Sequence, residues 1–260
     1  MDSPRPYILH ESNYRQLLDY KPNVAVLPWG ATEAHNYHLP HGTDVVQASE
    51  FAAEAARIAH SEGAKPIVLP AVPFGNNGQQ LDQVATIHCS TSTAQSILRD
   101  VATSLTTQGI DRLVILNGHG GNEFKPIVRD LQFEFDLLVI VANFWMVRPD
   151  VYESTFDEKL GDHANEMETS LLMHLRPDWV VMEQAGKGER IPFKLTKIKE
   201  VGGWTPRPWS KIHPDTGSGD PSAATAAKGA TYFSAVSQAI AEMLVELSSA
   251  QRGDLPYCDR

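Results

Sequence analysis

The amino-acid sequence predicts a three-layer α/β/α fold with a mainly parallel sheet. Four short apolar segments have the composition of buried strands, and segments with helical periodicity lie between them. This alternation requires crossover connections, which are right-handed and place helices on both faces of a parallel sheet. The sequence contains neither an internal repeat nor a linker between two cores, so we expect 1–260 to form one domain.

The predicted strands are rich in Val, Ile and Leu and span 24–28, 66–70, 112–117 and 137–144. Their apolar residues run continuously instead of alternating with polar ones, which is typical of strands covered on both faces. We expect the flavodoxin-like order 2-1-3-4, in which the strand order reverses between the first and third strands. Ligands of such sheets bind beyond the carboxyl ends of the strands at that reversal.

Helical periodicity and capping residues predict helices at 44–60, 90–108, 122–135, 166–175 and 221–249. The second of these begins with Ser and Thr, which cap helix N-termini, and it stops before Gly109. The segment 177–219 has no such periodicity and is rich in Gly, Pro and Trp. We expect this segment to be a long excursion over the functional site or a subunit interface.

Composition and charge exclude several classes of protein. The formal net charge of −10, without a basic stripe, argues against a nucleic-acid or membrane partner, because phosphate contacts need clustered Lys and Arg. The two cysteines, Cys89 and Cys258, form no disulfide framework. No apolar run could span a bilayer, and MDSPRPYILHESNYRQ lacks the apolar core of a signal peptide. We expect a cytoplasmic enzyme with a small-molecule substrate.

Acids and imidazoles concentrate in the loops that follow the first and third strands. The stretch ATEAHNYHLPHGTD follows the first strand, and its candidate ligands are Glu33, His35 and Asp44, with His38 and His41 beside them. The stretch NGHGGN, 117–122, follows the third strand and centres on a histidine. Because strands one and three should lie side by side, we expect these two loops to be neighbours at the reversal.

A third polar cluster, GDHANEMETS, stands at the start of the helix predicted at 166–175. It offers two acids and a histidine outside the two loops, Asp162, His163 and Glu166, and a further acid, Glu168. Mixed Asp, Glu and His ligands suit Zn²⁺ or Mn²⁺, and the lack of thiolates in the clusters excludes a soft-metal site.

Each cluster alone has a simpler interpretation. A Glu-x-His pair fits a polar surface loop, Asp44 fits an acid at a helix N-terminus, and NGHGGN fits a tight turn or a phosphate cradle of backbone N–H groups. Residues two apart, such as Glu33 and His35, project to the same side of an extended loop, and a carboxylate such as Asp44 can bridge two cations. The convergence of three clusters therefore favours a metal site.

Four motifs in order resemble the creatininase (creatinine amidohydrolase) family: LPWGATEAHNYHLPHGTD, NGHGGN, HANEMETSLL and TGSGDPSAATAAKG. The resemblance covers most of the chain, from residue 27 to about 230. It implies a three-layer α/β fold, a centre of two divalent metal ions per chain, Zn²⁺ and/or Mn²⁺, and hydrolysis of non-peptide or unusual C–N amide bonds. It also implies a homo-oligomer, frequently a hexamer.

The resemblance assigns ligands by position. Glu33 and His119 would bind one ion, His35 the other, and Asp44 both. Creatininase takes its remaining carboxylate from a Glu two residues after the histidine of NGH, where this sequence has Gly121. Relatives with NGHGGN carry a Glu in a HAGE-type motif. We therefore expect Glu166 to complete the ligands, with Glu168 as a buried acid behind it.

The resemblance also implies a mechanism. His163 matches the catalytic histidine of the family and would protonate the leaving amine after a metal-bound hydroxide attacks the carbonyl, backed by Asp162 or Glu168. Trp145 matches an aromatic residue near the creatininase pocket. We expect the other pocket residues to be His38, His88 and Gly120.

Two features argue against creatinine as the substrate. The tryptophan that the family carries before the catalytic histidine is replaced by Lys159 and Leu160, and the usual FPGT segment is altered to VATIHCSTS. Two alternatives therefore stand beside a non-peptide amidohydrolase. One is a metallopeptidase that acts on a modified peptide, and the other is a small-molecule or nucleotide-binding module without a catalytic metal.

Overall fold

The structure is a computed structural model that describes residues 4–251, and Cys258 lies outside them. It contains a four-stranded parallel sheet in the order β2-β1-β3-β4. The strands are β1 (Val24–Trp29), β2 (Pro66–Val68), β3 (Arg112–Asn117) and β4 (Leu138–Asn143). The predicted fold class and the predicted strand order are confirmed.

Nine α-helices occur among residues 4–251. They are α1 (Tyr14–Tyr20), α2 (Thr43–Ser61), α3 (Thr91–Thr107), α4 (Phe124–Leu131), α5 (Pro149–Thr155), α6 (Glu166–Leu175), α7 (Lys197–Glu200), α8 (Trp209–Ile212) and α9 (Ala226–Ser249). In the same part of the chain, no helix is long and apolar enough to cross a membrane.

Burial of the strands follows from what covers their edges. The residues of β1, β2 and β3 are buried, although β2 is an edge strand, because Tyr7 and Ile8 lie along its outer side. The Val68 N–H donates to the Tyr7 carbonyl at 2.8 Å. Every residue of β4 is only half-buried, so the prediction that all four strands are fully covered is wrong for this one. Continuous apolar composition does not reveal which strand lies at an open edge.

Two helices differ from their predicted bounds by more than one residue. The helix predicted at 122–135 is the shorter α4, and Phe133, two residues beyond its end, has 86% of its surface exposed. The helix predicted from 221 begins at Ala226, because the Thr225 hydroxyl accepts the Lys228 N–H and caps the helix there. Pro221 instead starts a turn with Ala224.

Helices cover both faces of the sheet and form two apolar cores. One core combines β1 and β3 with α2, α6 and α9, through residues such as Phe51, Leu171 and Tyr232. The other packs α3 and α4 on the opposite face, through residues such as Leu98 and Ile127. Most of these helices owe their position to an apolar side that the sheet buries.

The N-terminus of α2 lies against the carboxyl ends of β1 and β3. Gly30 follows β1 and Gly118 follows β3, and neither position has room for a side chain. A Cβ atom at Gly30 would lie 2.5 Å from the Val45 nitrogen, and one at Gly118 would lie 2.7 Å from the Asp44 carbonyl oxygen. This close approach places Asp44 at the reversal of strand order, where ligands of such sheets bind.

Candidate metal centre

Glu33 and His35 project from the loop after β1 into the interior, and both side chains are completely buried. Their loop folds back on itself, since the Glu33 N–H donates to the His41 carbonyl at 3.1 Å and His35 pairs with Leu39. The two side chains therefore reach the same polar cluster, as the Glu-x-His spacing predicts.

Asp44 stands in the first turn of α2 and contacts a different histidine with each oxygen. Its Oδ1 lies 2.9 Å from His35 Nε2, and its Oδ2 lies 3.1 Å from His119 Nδ1. The same nitrogen of His119 lies 3.0 Å from Glu33 Oε1. Asp44 thus stands between two groups of potential ligands, which is the position of a bridging carboxylate.

Three buried histidines are oriented by backbone carbonyl groups. His35 donates from Nδ1 to the Glu33 carbonyl at 3.0 Å, and His119 donates from Nε2 to the Asn76 carbonyl at 3.3 Å. His163 donates from Nε2 to the Ala34 carbonyl at 2.7 Å. The ring nitrogen that donates to a carbonyl is fixed in that role, so the other nitrogen faces the carboxylates and is the one available to a cation. Metal-binding histidines are commonly held in this way.

Glu168 joins the cluster, and Glu166 does not. The Glu168 Oε1 lies 4.0 Å from His35 Nε2, and its other oxygen accepts the Ala164 N–H. The expectation that Glu166 completes the ligands disagrees with the structure. Its carboxylate forms an ion pair with Lys228 and accepts backbone N–H groups at 2.7 and 2.8 Å. Residues two apart on a helix point to different sides, so only one of these acids can face the centre.

We expect Glu168→Gln and Glu166→Gln to have opposite effects. Glu168→Gln should weaken the binding of one metal equivalent by at least about 10-fold, because it removes a charged oxygen from the cluster. Glu166→Gln should leave metal content unchanged but lower the free energy of unfolding by about 1–3 kcal/mol, because it removes the partner of Lys228 and a buried acceptor. Chelator competition and urea unfolding measure the two effects. Equal metal affinity in both variants would contradict the assignment.

The cluster fits divalent cations. Side-chain atoms of three groups lie within 4.8 Å of one another: Glu33, Asp44 and His119; His35, Asp44 and Glu168; and Glu33, His35 and His163. Glu33 Oε1 and Asp44 Oδ2 are buried and have no hydrogen bond of suitable geometry, although His119 Nδ1 is near both. Buried carboxylate oxygens without such partners are costly, and a cation bound between them would compensate their charge.

The protein's own charges compensate these acids unevenly. Burial raises the pKa of Asp44, but His35 and His119 lower it by a larger amount, so the pKa falls below its usual range. Burial lowers the pKa of His35, yet Asp44 raises it to about 10. Burial raises the pKa of Glu168 to about 7. In the protein alone, therefore, neighbouring histidines compensate the charge of Asp44 well and the charge of Glu168 poorly.

The predicted backing of His163 by an acid disagrees with the structure. Asp162 forms an ion pair with Arg207, at 2.9 Å from Oδ2 to Nη2, and the Arg207 guanidinium lowers its pKa against the effect of burial. Glu168 contacts His35 and the Ala164 N–H instead. The contact that orients His163 is the carbonyl of Ala34, and burial lowers the pKa of this histidine to about 4.

The cluster opens into a cavity of about 830 Å³. Trp145 and Gly120 line this cavity, and so do Asp162 and His163. Two predicted pocket residues lie elsewhere. His38 is buried behind the centre with Nε2 2.8 Å from the Thr169 hydroxyl, and His88 is exposed and accepts the Asn77 N–H at 3.0 Å. Neither histidine is among the residues that line the cavity.

Part of the segment 177–219 lies over the cavity. We call residues 204–210 the cover segment, because Trp204 to Arg207 and Trp209 line the cavity. The Trp209 ring packs edge-on against His163, with 5.1 Å between ring centroids, and the Arg207 guanidinium lies 4.3 Å above Trp209. The Ser218 N–H donates to the His163 carbonyl at 2.8 Å, which ties the TGSG motif to this histidine.

Sequence reasoning missed the outer contacts of the centre. The Gln80 amide donates to Glu33 Oε2 at 2.5 Å, and the Asn76 carbonyl accepts from His119. Both residues belong to GNNGQQ, which carries no acid or histidine and follows the short strand β2. Its position after a strand next to β1 is the one signal in the sequence that points toward the site.

The His119 ring occupies the space that a side chain at position 121 would need, whereas a side chain at position 120 would not touch the ring. A Cβ atom at Gly121 would lie 2.4 Å from His119 Nε2 and 2.5 Å from the Asn76 oxygen, whereas one at Gly120 would meet no atom within 4 Å. We expect Gly121→Ala to displace the ring and weaken metal binding by about 10-fold, at the lower end of overpacking costs. Gly120→Ala should keep the metal content of the wild type. Elemental analysis after dialysis measures both, and equal metal content would contradict the steric argument.

A parallel sheet flanked by helices, with histidines and carboxylates clustered at its carboxyl edge and open to a cavity, defines the class of α/β proteins with a candidate metal centre. The chain belongs to the creatininase family, because the family model described as creatinine amidohydrolase matches residues 10–244. The resemblance in the sequence motifs is thereby confirmed. Relatives in this family are hydrolases that act on C–N bonds, and this chain is an enzyme of that kind.

The chain is similar to curated proteins with two different activities. It is 31% identical over 236 residues to the mycofactocin precursor peptide peptidase of Mycolicibacterium smegmatis, covering 88% of this chain and 86% of that protein. It is 29% identical over 180 residues to the creatinine amidohydrolase of Pseudomonas putida, covering 62% of this chain and 67% of that protein.

Solved structures share the fold over almost the whole chain. A provisionally named creatinine amidohydrolase from Bacteroides fragilis NCTC 9343 has a TM-score of 0.88 and 39% sequence identity, covering 96% of this chain and 99% of that one. A mutant creatininase of Zn-Zn type and a creatininase Mn structure have TM-scores of 0.77 and 0.71 at 22% identity. Each covers 95% of this chain and 100% of its own.

Proposed function

We propose that the chain is a metal-dependent amidohydrolase that cleaves a non-peptide C–N bond of an amide, a cyclic amide or a formamide. The observation that carries this proposal is the convergence of buried carboxylates and inward-facing histidine nitrogens on one cavity. A non-catalytic binding module would not need two buried acids, Glu33 and Asp44, that each have an oxygen without a hydrogen-bond partner.

Two ions per chain, Zn²⁺ and/or Mn²⁺, match the residues present. Glu33, Asp44 and His119 would hold one ion, and His35, Asp44 and Glu168 the other. When bound, such ions polarise the carbonyl group of the substrate and lower the pKa of water toward about 7. Asp44 would belong to both sites, and its two oxygens already face different histidines.

We assign proton transfer to Nδ1 of His163. Its Nε2 donates to the Ala34 carbonyl, so Nδ1 is the nitrogen free to accept a proton, and it lies 3.6 Å from Glu33 Oε1. In the proposed reaction, water attacks the amide carbon and gives up one proton to Nδ1. The C–N bond then breaks, and Nδ1 returns this proton to the leaving nitrogen, which departs as an amine.

The surroundings of His163 support this role. The Trp209 ring and the cover segment shield the histidine from bulk water on the side of the cavity. Shielding of this kind strengthens electrostatic interactions within the site. Arg207 of the cover segment forms an ion pair with Asp162, which precedes His163 in the chain, and this pair holds the cover segment next to the histidine.

An activity screen of metal-loaded protein tests the proposal. The protein is loaded with Zn²⁺ or Mn²⁺ and incubated with creatinine, N-formyl amines, cyclic amides and short peptides, and release of amine is measured. We expect about two metal equivalents per chain and metal-dependent hydrolysis of at least one non-peptide amide. A protein that binds no Zn²⁺ or Mn²⁺ in the absence of chelator would contradict the proposal.

A metallopeptidase that acts on a modified peptide is the second candidate. The relative from Mycolicibacterium smegmatis, which is named as a peptidase for a precursor peptide, favours it. The cavity of about 830 Å³ is large for a single small ring and has room for a short peptide segment. Cleavage of a modified peptide, with no turnover of the other amides, would favour this candidate over the first.

We also propose that the enzyme works in the cytoplasm as a homo-oligomer, with a hexamer as the expected form. Family resemblance supports this assembly. Light scattering coupled to size-exclusion chromatography measures the mass of the particle, and a monomeric mass at micromolar concentration would contradict the proposal.

A further inference from the structure

The loop 75–82 lies between the candidate metal centre and the cover segment and contacts both. On one side, Gln80 Nε2 donates to Glu33 Oε2 at 2.5 Å. On the other side, the Gln79 backbone oxygen accepts the backbone N–H of Trp209 at 3.2 Å. The Gln79 side-chain Oε1 accepts the backbone N–H of Arg207 at 3.1 Å. Two adjacent glutamines therefore support different parts of the site.

We propose that Gln80 is a positioning residue for the candidate ligand Glu33, and that Gln79 positions the cover segment that shapes the substrate cavity. The inference rests on the proposed function, because it takes Glu33 as a ligand of a catalytic metal ion. It assigns roles to two residues that carry no charge and do not ligate a metal themselves.

The environment of Gln80 indicates a specific function for its amide. Its side chain is 99% buried, its Nε2 contacts a carboxylate, and its Oε1 has no hydrogen-bond partner. The opposite orientation of the amide would bring Oε1 against Glu33 Oε2, which would repel it, so the NH₂ group faces the acid. A buried acceptor without a partner destabilises a fold. An apolar side chain would remove this cost, but it would also leave the buried Glu33 Oε2 without its donor.

Gln80 determines which oxygen of Glu33 faces the cluster. Glu33 Oε2 is occupied by the Gln80 amide, whereas Oε1 lies 3.0 Å from His119 Nδ1 and has no hydrogen bond of its own. Without the amide donor, the carboxylate could rotate and exchange its two oxygens. Outer hydrogen bonds that orient a ligand typically change metal affinity by about 10–100-fold.

Gln79 acts on the cover segment through backbone groups. Its two hydrogen bonds reach the N–H groups of Arg207 and Trp209, which flank Pro208. Trp209 then packs on His163, and Arg207 pairs with Asp162. Loss of the Gln79 side chain removes one of these two bonds and leaves the backbone bond in place. The expected consequence is a looser cover over an intact metal centre.

The test compares Gln80→Leu with Gln79→Leu, two neighbouring substitutions of the same chemistry. Zn²⁺ affinity is measured by competition with a chromogenic chelator, and the accessibility of the cover segment by trypsin cleavage at Lys211, which directly follows it. We expect Gln80→Leu to lose about 10–100-fold in affinity for one of two Zn²⁺ equivalents. Its urea midpoint should not exceed that of the wild type, because leucine removes the unpartnered Gln80 Oε1 but also the donor to Glu33 Oε2. Gln79→Leu should bind both equivalents normally and be cleaved about fivefold faster, as loss of one hydrogen bond predicts.

Two outcomes would overturn the inference: unchanged affinity for both Zn²⁺ equivalents in Gln80→Leu, or weakened Zn²⁺ binding in Gln79→Leu. Should Gln80→Leu fail to fold, Gln80→Met, which fills the same length with a more adaptable side chain, is measured instead and must show the same loss. Wild-type protein that binds two Zn²⁺ ions but hydrolyses no amide would contradict the proposed function and not the role of Gln80.

Discussion

Asp44→Asn is expected to lose both metal equivalents and to show no measurable hydrolysis, a loss of at least about 10⁴-fold in kcat/KM. Asp44 is the carboxylate shared by the two groups assigned to the metal ions, with Oδ1 2.9 Å from His35 and Oδ2 3.1 Å from His119. An amide of the same size removes the negative charge from both groups, and its NH₂ end cannot accept a cation. Elemental analysis of the dialysed protein and a turnover assay measure the two losses.

A matched control uses another acid of the same helix. Glu54 lies on the surface of α2 and pairs with Arg57 at 2.7 Å. Glu54→Gln should keep both metal equivalents and full activity, because it removes one charge from α2 without touching the centre. Circular dichroism should show that both variants are folded. An Asp44→Asn protein that retains two tightly bound ions would contradict the bridging role.

The fold was predictable from the sequence because its signals are local. Runs of Val, Ile and Leu identified the strands, and Ser90 caps α3 through the Thr93 N–H, as its type and position predict. The half-buried state of β4 was not predictable, since it depends on which strand lies at an open edge. The coverage of β2 by Tyr7 and Ile8 likewise depends on a contact between distant parts of the chain.

Part of the candidate site followed from the predicted topology. Once β1 and β3 are neighbours in a parallel sheet, the loops that carry Glu33, His35 and His119 must meet at its carboxyl edge. The start of α2 must lie there as well, which brings Asp44 to the same place. These four residues are the ones that the structure brings together as the sequence predicts.

The choice between Glu166 and Glu168 needed tertiary structure. Both acids stand in the first turn of α6, and the rotation of this helix decides which one faces the centre. That rotation depends on packing against α9, where Lys228 pairs with Glu166. A lysine that lies 62 residues away in the chain gives no local signal for this pair. The carbonyl of Ala34, which orients His163, likewise gives no signal in the sequence, because every residue has a carbonyl group.

His163→Gln is expected to keep both metal equivalents and to lower kcat by about 10²–10⁴-fold. Glutamine can donate to the Ala34 carbonyl as the histidine does, but it offers no ring nitrogen that can take up and release a proton. KM should change little, because the residue is assigned to proton transfer and not to binding. Steady-state kinetics and elemental analysis of the same preparation separate these effects.

The result for metal content distinguishes two roles of His163. Its Nδ1 lies 3.6 Å from Glu33 Oε1, and this nitrogen belongs to one of the three groups of potential ligands. Loss of one metal equivalent in His163→Gln would identify the histidine as a ligand, whereas two retained ions with low kcat identify it as the acid–base group. His174→Gln, at an exposed position of α6, should change neither quantity. Undiminished turnover of the true substrate by His163→Gln would contradict the proposed mechanism, because His119, which also joins the cluster and lines the cavity, is assigned as a metal ligand.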